Sequence, residues 1–169
     1  MEVSGSSIVG RAWVLGDNID TDQIISGQYL TMLDYAEMAR HALEIPRPDF
    51  ARSVRKGDVI VAGRNLGGGS SREEAPRVLK ELGVACIVAE SFARLFYRNS
   101  FNIGLPLLIV PSVSRSVEDG ATVEVNLERG TLHVMGTSIV LQGKSLPEFI
   151  LKMLRAGGAV QLYLASHVQ

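Results

Sequence analysis

Two serines and an arginine directly follow three consecutive glycines near the middle of the chain. The glycines occupy positions 67–69, and Ser70, Ser71 and Arg72 come next. A backbone without side chains takes positive φ angles readily and lets a ligand approach closely. Hydroxyl groups and a guanidinium fork are suited to a carboxylate or a phosphate. The stretch therefore predicts a binding site for a small anion, to which Gly69 contributes backbone.

This glycine loop joins a predicted strand to a predicted helix. The apolar run 58–62 has strand composition, and residues 72–82 place apolar side chains at helical spacing. Ser70 and Ser71 are both candidates for the helix N-cap, because a glutamate three residues after each can complete a capping box. We expect the N–H groups and the positive dipole end of this helix to strengthen the anion site. A tight strand-to-helix turn without a ligand is the alternative.

The loop differs from two common nucleotide-binding loops. A P-loop has the pattern G-x-x-x-x-G-K-[ST], and counting from Gly63 puts Gly69 where its lysine is required. The dinucleotide fingerprint G-x-G-x-x-G can begin at Gly67, but Arg72 occupies its last glycine position. The spacing therefore excludes both nucleotide-binding interpretations.

Three aspartates lie close together after the first predicted strand, at Asp17, Asp20 and Asp22. Such a cluster could bind a hard cation, but Ile19 and Ile24 interrupt the run of oxygen-bearing residues that a calcium loop requires. Aspartate side chains also bond to nearby backbone, so a plain turn accounts for Asp17 and Asp20.

The residue types that commonly hold metals are sparse and scattered. Cys86 is the only cysteine, and it lies in an apolar run typical of a buried parallel strand. One thiol cannot form an internal disulfide or hold an iron–sulfur cluster by itself. The three histidines belong to no zinc-binding motif. We expect no metal or cofactor on this chain.

Composition limits the class of protein. The 169 residues, 46% of them hydrophobic, are enough for one well-cored domain, which we expect to span 1–169. The net charge of −1 gives no general attraction to nucleic acid or to anionic membranes. No apolar run reaches transmembrane length, and the first seven residues lack the pattern of a secretory signal. These features predict a cytoplasmic location.

The hydrophobic pattern is that of an α/β protein. We expect a parallel or mixed sheet core flanked by helices, in which strands 58–62 and 84–89 form a parallel βαβ unit and 121–135 forms a hairpin. Further strands are predicted at 10–15 and 106–110, and further helices at 35–43, 91–100, 147–155 and 159–164.

The glycine loop resembles the signature of a known family. Residues 65–73 read NLGGGSSRE, which is similar to the Asn-Phe-Gly-x-Gly-Ser-Ser-Arg-Glu motif of the swivelling domain of the aconitase superfamily, especially the separate small subunits of isopropylmalate isomerases. The resemblance continues at 16–25, 90–99, 103–107 and 146–149, and so covers nearly the whole chain. Leu66 and Glu74 depart from the family pattern, where Phe is usual and many relatives have His.

The resemblance implies a swivelling β/β/α domain and a hydro-lyase of leucine biosynthesis that converts 2-isopropylmalate to 3-isopropylmalate. By position in the motif, Ser70 is similar to the serine whose alkoxide acts as base, and Ser71 to its neighbouring oxyanion contact. Arg72 resembles the arginine that pairs with a substrate carboxylate, and Asp22 the aspartate that points into the cleft. For either serine, helix capping alone is the structural alternative.

The resemblance also implies that this chain is half of an enzyme. In the family a separate large subunit carries a [4Fe–4S] cluster on three cysteines, and its open iron binds the substrate hydroxyl. The expected partners are thus a large subunit, in a heterodimer or a heterotetramer, and a small 2-substituted malate. Self-association of the isolated chain stays open.

A second loop bears on substrate choice. In relatives, the loop that begins at a Tyr-Leu pair helps to select the substrate side chain. Here Tyr29, Leu30, Thr31 and Met32 include no cation, which favours an alkyl group over an extra carboxylate, and hence isopropylmalate over homoaconitate. Alternatively, Leu30, Met32 and Leu33 fasten the loop to the core.

Other functions remain open from the sequence. Within the same mechanism, the alternatives are small subunits of homoaconitase and of methylmalate or citramalate dehydratases. A stand-alone dicarboxylate-binding module would use the same loop without catalysis. A complete single-chain racemase or lyase would need an acid/base group opposite Ser70, for which Asp22 is the candidate.

Overall fold

The computed structural model describes residues 7–168, within which seven strands form one mixed sheet. The strands are β1 (Ser7–Val14), β2 (Val59–Ala62), β3 (Cys86–Ala89), β4 (Leu107–Ile109), β5 (Thr122–Asn126), β6 (Thr131–Val134) and β7 (Val140–Gln142). Their order across the sheet is β4-β3-β2-β1-β5-β6-β7. Strands β4, β3, β2 and β1 are mutually parallel, and β1, β5, β6 and β7 pair antiparallel. The predicted parallel or mixed sheet is confirmed.

Burial explains why the two halves of the sheet differ in sequence. Every residue of β2 and β3 is buried, and both are uninterrupted apolar runs, as expected for parallel strands covered on two faces. Strands β5 and β6 instead alternate buried and partly exposed residues, which is typical of antiparallel strands with one wet face. The predicted βαβ unit and hairpin are therefore both present.

Eight helices connect and flank the strands in residues 7–168. They are α1 (Thr21–Ile24), α2 (Tyr35–Ala39), α3 (Phe50–Ser53), α4 (Glu74–Glu81), α5 (Arg94–Asn102), α6 (Val113–Ser116), α7 (Glu148–Ala156) and α8 (Ala159–His167). A 3-10 turn covers Gly27–Tyr29. None of these helices is long and apolar enough to cross a membrane.

Contacts distant in sequence shift the boundaries of two predicted helices. Helix α2 ends at Ala39 instead of 43, because Leu43 takes a positive φ of 57° and donates its N–H to the carbonyl of Ile24 at 2.9 Å. Helix α5 begins at Arg94 instead of 91, because Phe92 forms a parallel bridge with Leu66. In both cases a contact distant in sequence replaces a helical hydrogen bond.

Candidate active site

The chemistry-bearing residues meet at one edge of the sheet. Strands β1, β2 and β3 are neighbours and parallel, so their carboxyl ends lie on the same side. The acidic turn follows β1, the glycine loop follows β2, and the lead into α5 follows β3. Ligand sites of open α/β sheets lie at the carboxyl ends of strands.

Hydrogen bonds from the acidic turn fix the glycine loop. Gly67 donates its N–H to the carbonyl of Ile19 at 2.8 Å, and Thr21 donates its N–H to the carbonyl of Gly68 at 2.9 Å. The buried Thr21 also donates its hydroxyl to the carbonyl of Ser70 at 2.7 Å. These bonds are accepted by the loop's backbone or donated by it, so they leave the hydroxyls of Ser70 and Ser71 unconstrained.

Two aspartates of the acidic turn have structural roles. Asp17 accepts from the N–H of Arg64 at 2.7 Å. Asp20 caps α1, because its carboxylate accepts from Gln23 N–H at 2.8 Å while the Gln23 side chain accepts from the Asp20 N–H at 3.1 Å. Asp20 therefore caps a helix, and Asp17 joins its turn to backbone 47 positions away.

The glycine at position 67 is required by both conformation and space. Its φ is +84°, a left-handed conformation that residues with a Cβ adopt at a cost. A Cβ built there would lie 2.2 Å from Cγ of Phe96, inside any possible contact distance. The loop and the first turn of α5 therefore approach as closely as a bare backbone allows.

Ser70 and Ser71 do not cap a helix, so that prediction is wrong. Helix α4 begins at Glu74, with Glu73 as its N-cap residue. The Ser70 carbonyl accepts a hydrogen bond from the hydroxyl of Thr21, which lies outside α4. Both serines are exposed, and neither hydroxyl has a hydrogen-bond partner within residues 7–168. They are open to a ligand.

Arg72 is held by two contacts. Its Nη1 donates to Oδ1 of Asp22 at 2.8 Å and to the carbonyl of Ile25 at 2.9 Å, and its side chain is 18% exposed against 64% for Asp22. The hydrogen bond from Arg72, and then that from the N–H of Gly27, lower the pKa of Asp22. Asp22 is thus an anion that orients the guanidinium.

These residues border a recess of about 290 Å³, enough for a small organic acid. Gly69, Ser70, Ser71 and Arg72 line it. The first turn of α5, which has no side-chain cap and no acidic residue, also lines the recess. The positive helix end at the recess is therefore that of α5, and not that of the helix after the glycine loop, as the sequence predicted.

Arg94 is a cation that lines the recess, a position that the sequence did not predict. It is the first residue of α5 and is exposed. The signal that could have identified it is an arginine at a helix start, where acidic residues are favoured.

The residues predicted to select the substrate side chain do not border this recess. The ring of Tyr29 stacks on His41 with 3.8 Å between centroids, and its hydroxyl donates to Glu44 at 2.8 Å. Leu30 and Met32 pack partly against the core, whereas Thr31 is exposed. The 3-10 turn that begins this segment is nevertheless close to the site.

Gly27, the first residue of the 3-10 turn, lies close to Arg72, because a Cβ built on Gly27 would be 3.4 Å from Nη2 of Arg72. Farther along, Leu33 is 100% exposed, so the expectation that it fastens the segment to the core is wrong. Glu44, which no sequence argument singled out, accepts hydrogen bonds from both Tyr29 and His41.

The residues of this chain do not fit an iron–sulfur cluster. Cys86 is fully buried in β3, where burial raises the pKa of its thiol far above the ordinary value. Within the described residues, no group of three or more His, Cys, Asp or Glu side chains is placed to hold a metal ion.

Residues 17–111 match the aconitase C-terminal domain family, so the chain belongs to that family. It is 55% identical over 155 residues to 3-isopropylmalate dehydratase small subunit 1 of Methanopyrus kandleri, covering 92% of this chain and 91% of that one. It is 48% identical to the isopropylmalate/citramalate isomerase small subunit of Methanocaldococcus jannaschii, over 90% and 91% of the two chains. The crystal structure of 3-isopropylmalate dehydratase from M. jannaschii superposes with a TM-score of 0.89 at 38% identity, covering 95% of both chains.

Proposed function

We propose that this chain is the small subunit of a 3-isopropylmalate dehydratase, a hydro-lyase that interconverts 2-isopropylmalate and 3-isopropylmalate in leucine biosynthesis. The observation that carries the proposal is the pair of Ser70 and Ser71 hydroxyls, which have no hydrogen-bond partner among residues 7–168 and stand beside an arginine that Asp22 orients. The relatives named above support the same reaction.

The reaction moves a hydroxyl between neighbouring carbons. A C–H proton next to a carboxylate leaves, hydroxide leaves the adjacent carbon, and water then adds in the opposite sense. In our proposal Arg72 binds a substrate carboxylate and Ser71 donates a hydrogen bond to it. The Ser70 alkoxide accepts the C–H proton as its Oγ–H, and returns a proton to carbon when water adds.

A serine alkoxide needs strong local stabilisation, because a hydroxyl is a very weak acid. Two positive elements border the recess beside Ser70: the guanidinium of Arg72 and the first turn of α5. Positive potential favours the charged form of an acid and so lowers its pKa. These elements support Ser70 as the base.

Loss of hydroxide requires a Lewis acid. We propose that a separate large subunit supplies it on a [4Fe–4S] cluster and completes the site in a heterodimer or a heterotetramer. Two observations support a second chain. The recess is open, with Gly69, Ser70 and Ser71 exposed, and the relatives are named small subunits.

A reconstitution assay tests the proposal. The purified chain is mixed with a cluster-loaded large subunit from the same source, and absorbance of the unsaturated intermediate is followed with isopropylmalate, citramalate and homocitrate. We expect turnover only with both chains, and fastest with isopropylmalate. Turnover by this chain alone, or an inactive pair with an intact cluster, would contradict the proposal.

Citramalate-type and homoaconitate-type substrates are the main alternatives, and each has a named relative at 48% identity. The exposed Thr31 offers a direct test of side-chain choice. Thr31→Arg adds a cation to the segment and should shift the substrate preference from isopropylmalate towards homocitrate, which carries an extra carboxylate. A stand-alone binding module would instead bind these acids tightly without the large subunit, which calorimetry on the isolated chain measures.

A further inference from the structure

Two arginines border the recess, and they differ in how they are held. Arg72 already donates to Asp22 and to the carbonyl of Ile25. Arg94, which also lines the recess, forms no ion pair or side-chain hydrogen bond within residues 7–168. Its guanidinium keeps its full hydrogen-bonding capacity for a ligand.

The position of Arg94 carries a local electrostatic cost. It is the first residue of α5, where the helix dipole is positive and a cation is unfavourable. The first turn has no acidic residue, and the N-cap residue Ala93 has no side chain that could bond to its N–H groups. A bound anion would reverse this cost. Local rules of this kind are commonly broken at functional sites.

We propose that Arg94 binds the second carboxylate of the substrate while Arg72 binds the first. This inference rests on the proposed function, since a 2-substituted malate carries a carboxylate at each end of a short chain. A recess of about 290 Å³ that both arginines line suits such a dianion. Arg94 is accordingly a determinant of specificity for diacids over monoacids.

The matched control lies on the same helix. Arg98 is one turn farther along α5 and exposed, but it does not border the recess. In the reconstituted pair, Arg94→Gln should raise KM by about 10- to 100-fold, as expected for loss of a charged hydrogen bond, and Arg94→Lys should recover part of the loss. Arg98→Gln should stay within about twofold of wild type.

Inhibitor chemistry identifies the group that Arg94 binds. Calorimetry measures the binding of a saturated dicarboxylate analogue, and of its two monoamides, to the assembled pair. Arg94→Gln should weaken the diacid and one monoamide, and leave unchanged the monoamide that lacks the carboxylate facing Arg94. Equal losses for all three compounds, or none, would overturn the inference.

Two further outcomes keep this inference separate from the proposed function. If Arg94→Gln weakens assembly with the large subunit but leaves KM unchanged at saturating large subunit, Arg94 is an interface residue and the inference is wrong. If the wild-type pair turns over none of the acids, the proposed function fails, and calorimetry with the same three compounds still decides whether Arg94 binds a carboxylate.

Discussion

Arg72 donates a hydrogen bond to the carboxylate of Asp22 at 2.8 Å, although the two residues are 50 positions apart. One follows the glycine loop after β2, and the other lies in α1 after β1. The pair exists because β1 and β2 are adjacent parallel strands, which brings their carboxyl ends together. The orientation of the substrate-binding arginine therefore depends on strand order.

Asp22→Asn tests that dependence. Because the carboxylate orients Arg72, its loss should lower kcat/KM by at least about tenfold. The melting temperature should change little, since Asp22 is exposed and surface ion pairs contribute little stability. Steady-state kinetics and calorimetry measure the two effects. An unchanged kcat/KM would show that Ile25 alone positions Arg72.

Ser70→Ala and Ser71→Ala separate base from binding group. Ser70→Ala should lower kcat by about 100- to 10,000-fold, the range typical of a lost general base. Ser71→Ala should mainly raise KM. Neither hydroxyl has a hydrogen-bond partner within the described residues, so both variants should have the melting temperature of the wild type. If instead Ser71→Ala lowers kcat and Ser70→Ala mainly raises KM, Ser71 is the base and Ser70 is the binding group.

Gly67→Ala should destabilise the protein by about 3 kcal/mol or more, because strain at positive φ adds to a clash with Phe96. Gly120 is the control. Its φ is +86°, but a Cβ there would meet no atom within 4 Å, so Gly120→Ala should cost only about 1 kcal/mol. Urea unfolding measures the free energy of unfolding of both variants. Equal losses in the two variants would contradict the clash with Phe96.

Asp58 stabilises the fold far from the site. It is 6% exposed and accepts hydrogen bonds from Trp13 Nε1 at 2.9 Å, Arg55 N–H at 2.9 Å and Arg11 at 3.2 Å. Burial alone would raise the pKa of Asp58, but these three donors outweigh it and the pKa is lowered. The stabilisation is therefore complete above the ordinary carboxyl pKa of about 3.9 and is lost as pH falls through the lowered value.

Asp58→Asn should lower the free energy of unfolding by about 1–2 kcal/mol near neutral pH, and the difference from wild type should shrink on acidification. Urea unfolding at a series of pH values measures both. The exposed Glu118 provides a control, because Glu118→Gln should stay within about 0.5 kcal/mol. A difference that is constant with pH would contradict the role of the charge.

Glu44→Gln tests the support of the 3-10 turn. The hydrogen bond with His41, at 2.6 Å, is the main factor that lowers the pKa of Glu44, and Tyr29 also donates to this carboxylate. The variant should raise KM by about fivefold with little change in kcat, because it loosens a segment beside Arg72. Glu37→Gln on the exposed face of α2 is the control. Equal KM values for the Glu44→Gln and Glu37→Gln variants would contradict a role of Glu44 in supporting the 3-10 turn.

Much of the fold follows from local patterns. Strands β2 and β3 are continuous apolar runs, and the predicted positions agree with the structure within two residues. Short elements such as α3, α6 and β7 were not predicted, because three or four residues carry too little periodicity. The predicted serine caps of α4 were wrong, since its N-cap residue is Glu73.

The sequence by itself determined the chemical groups of the site. Glycines that permit positive φ, two hydroxyls and an arginine are local features, and their order predicts an anion site. Only the tertiary structure decided that the start of α5 lines the recess, that Asp22 holds Arg72, and that Arg94 lines the same recess. The reason is physical: spacing along the chain reports periodicity within one element, whereas the packing of parallel strands determines which loops meet.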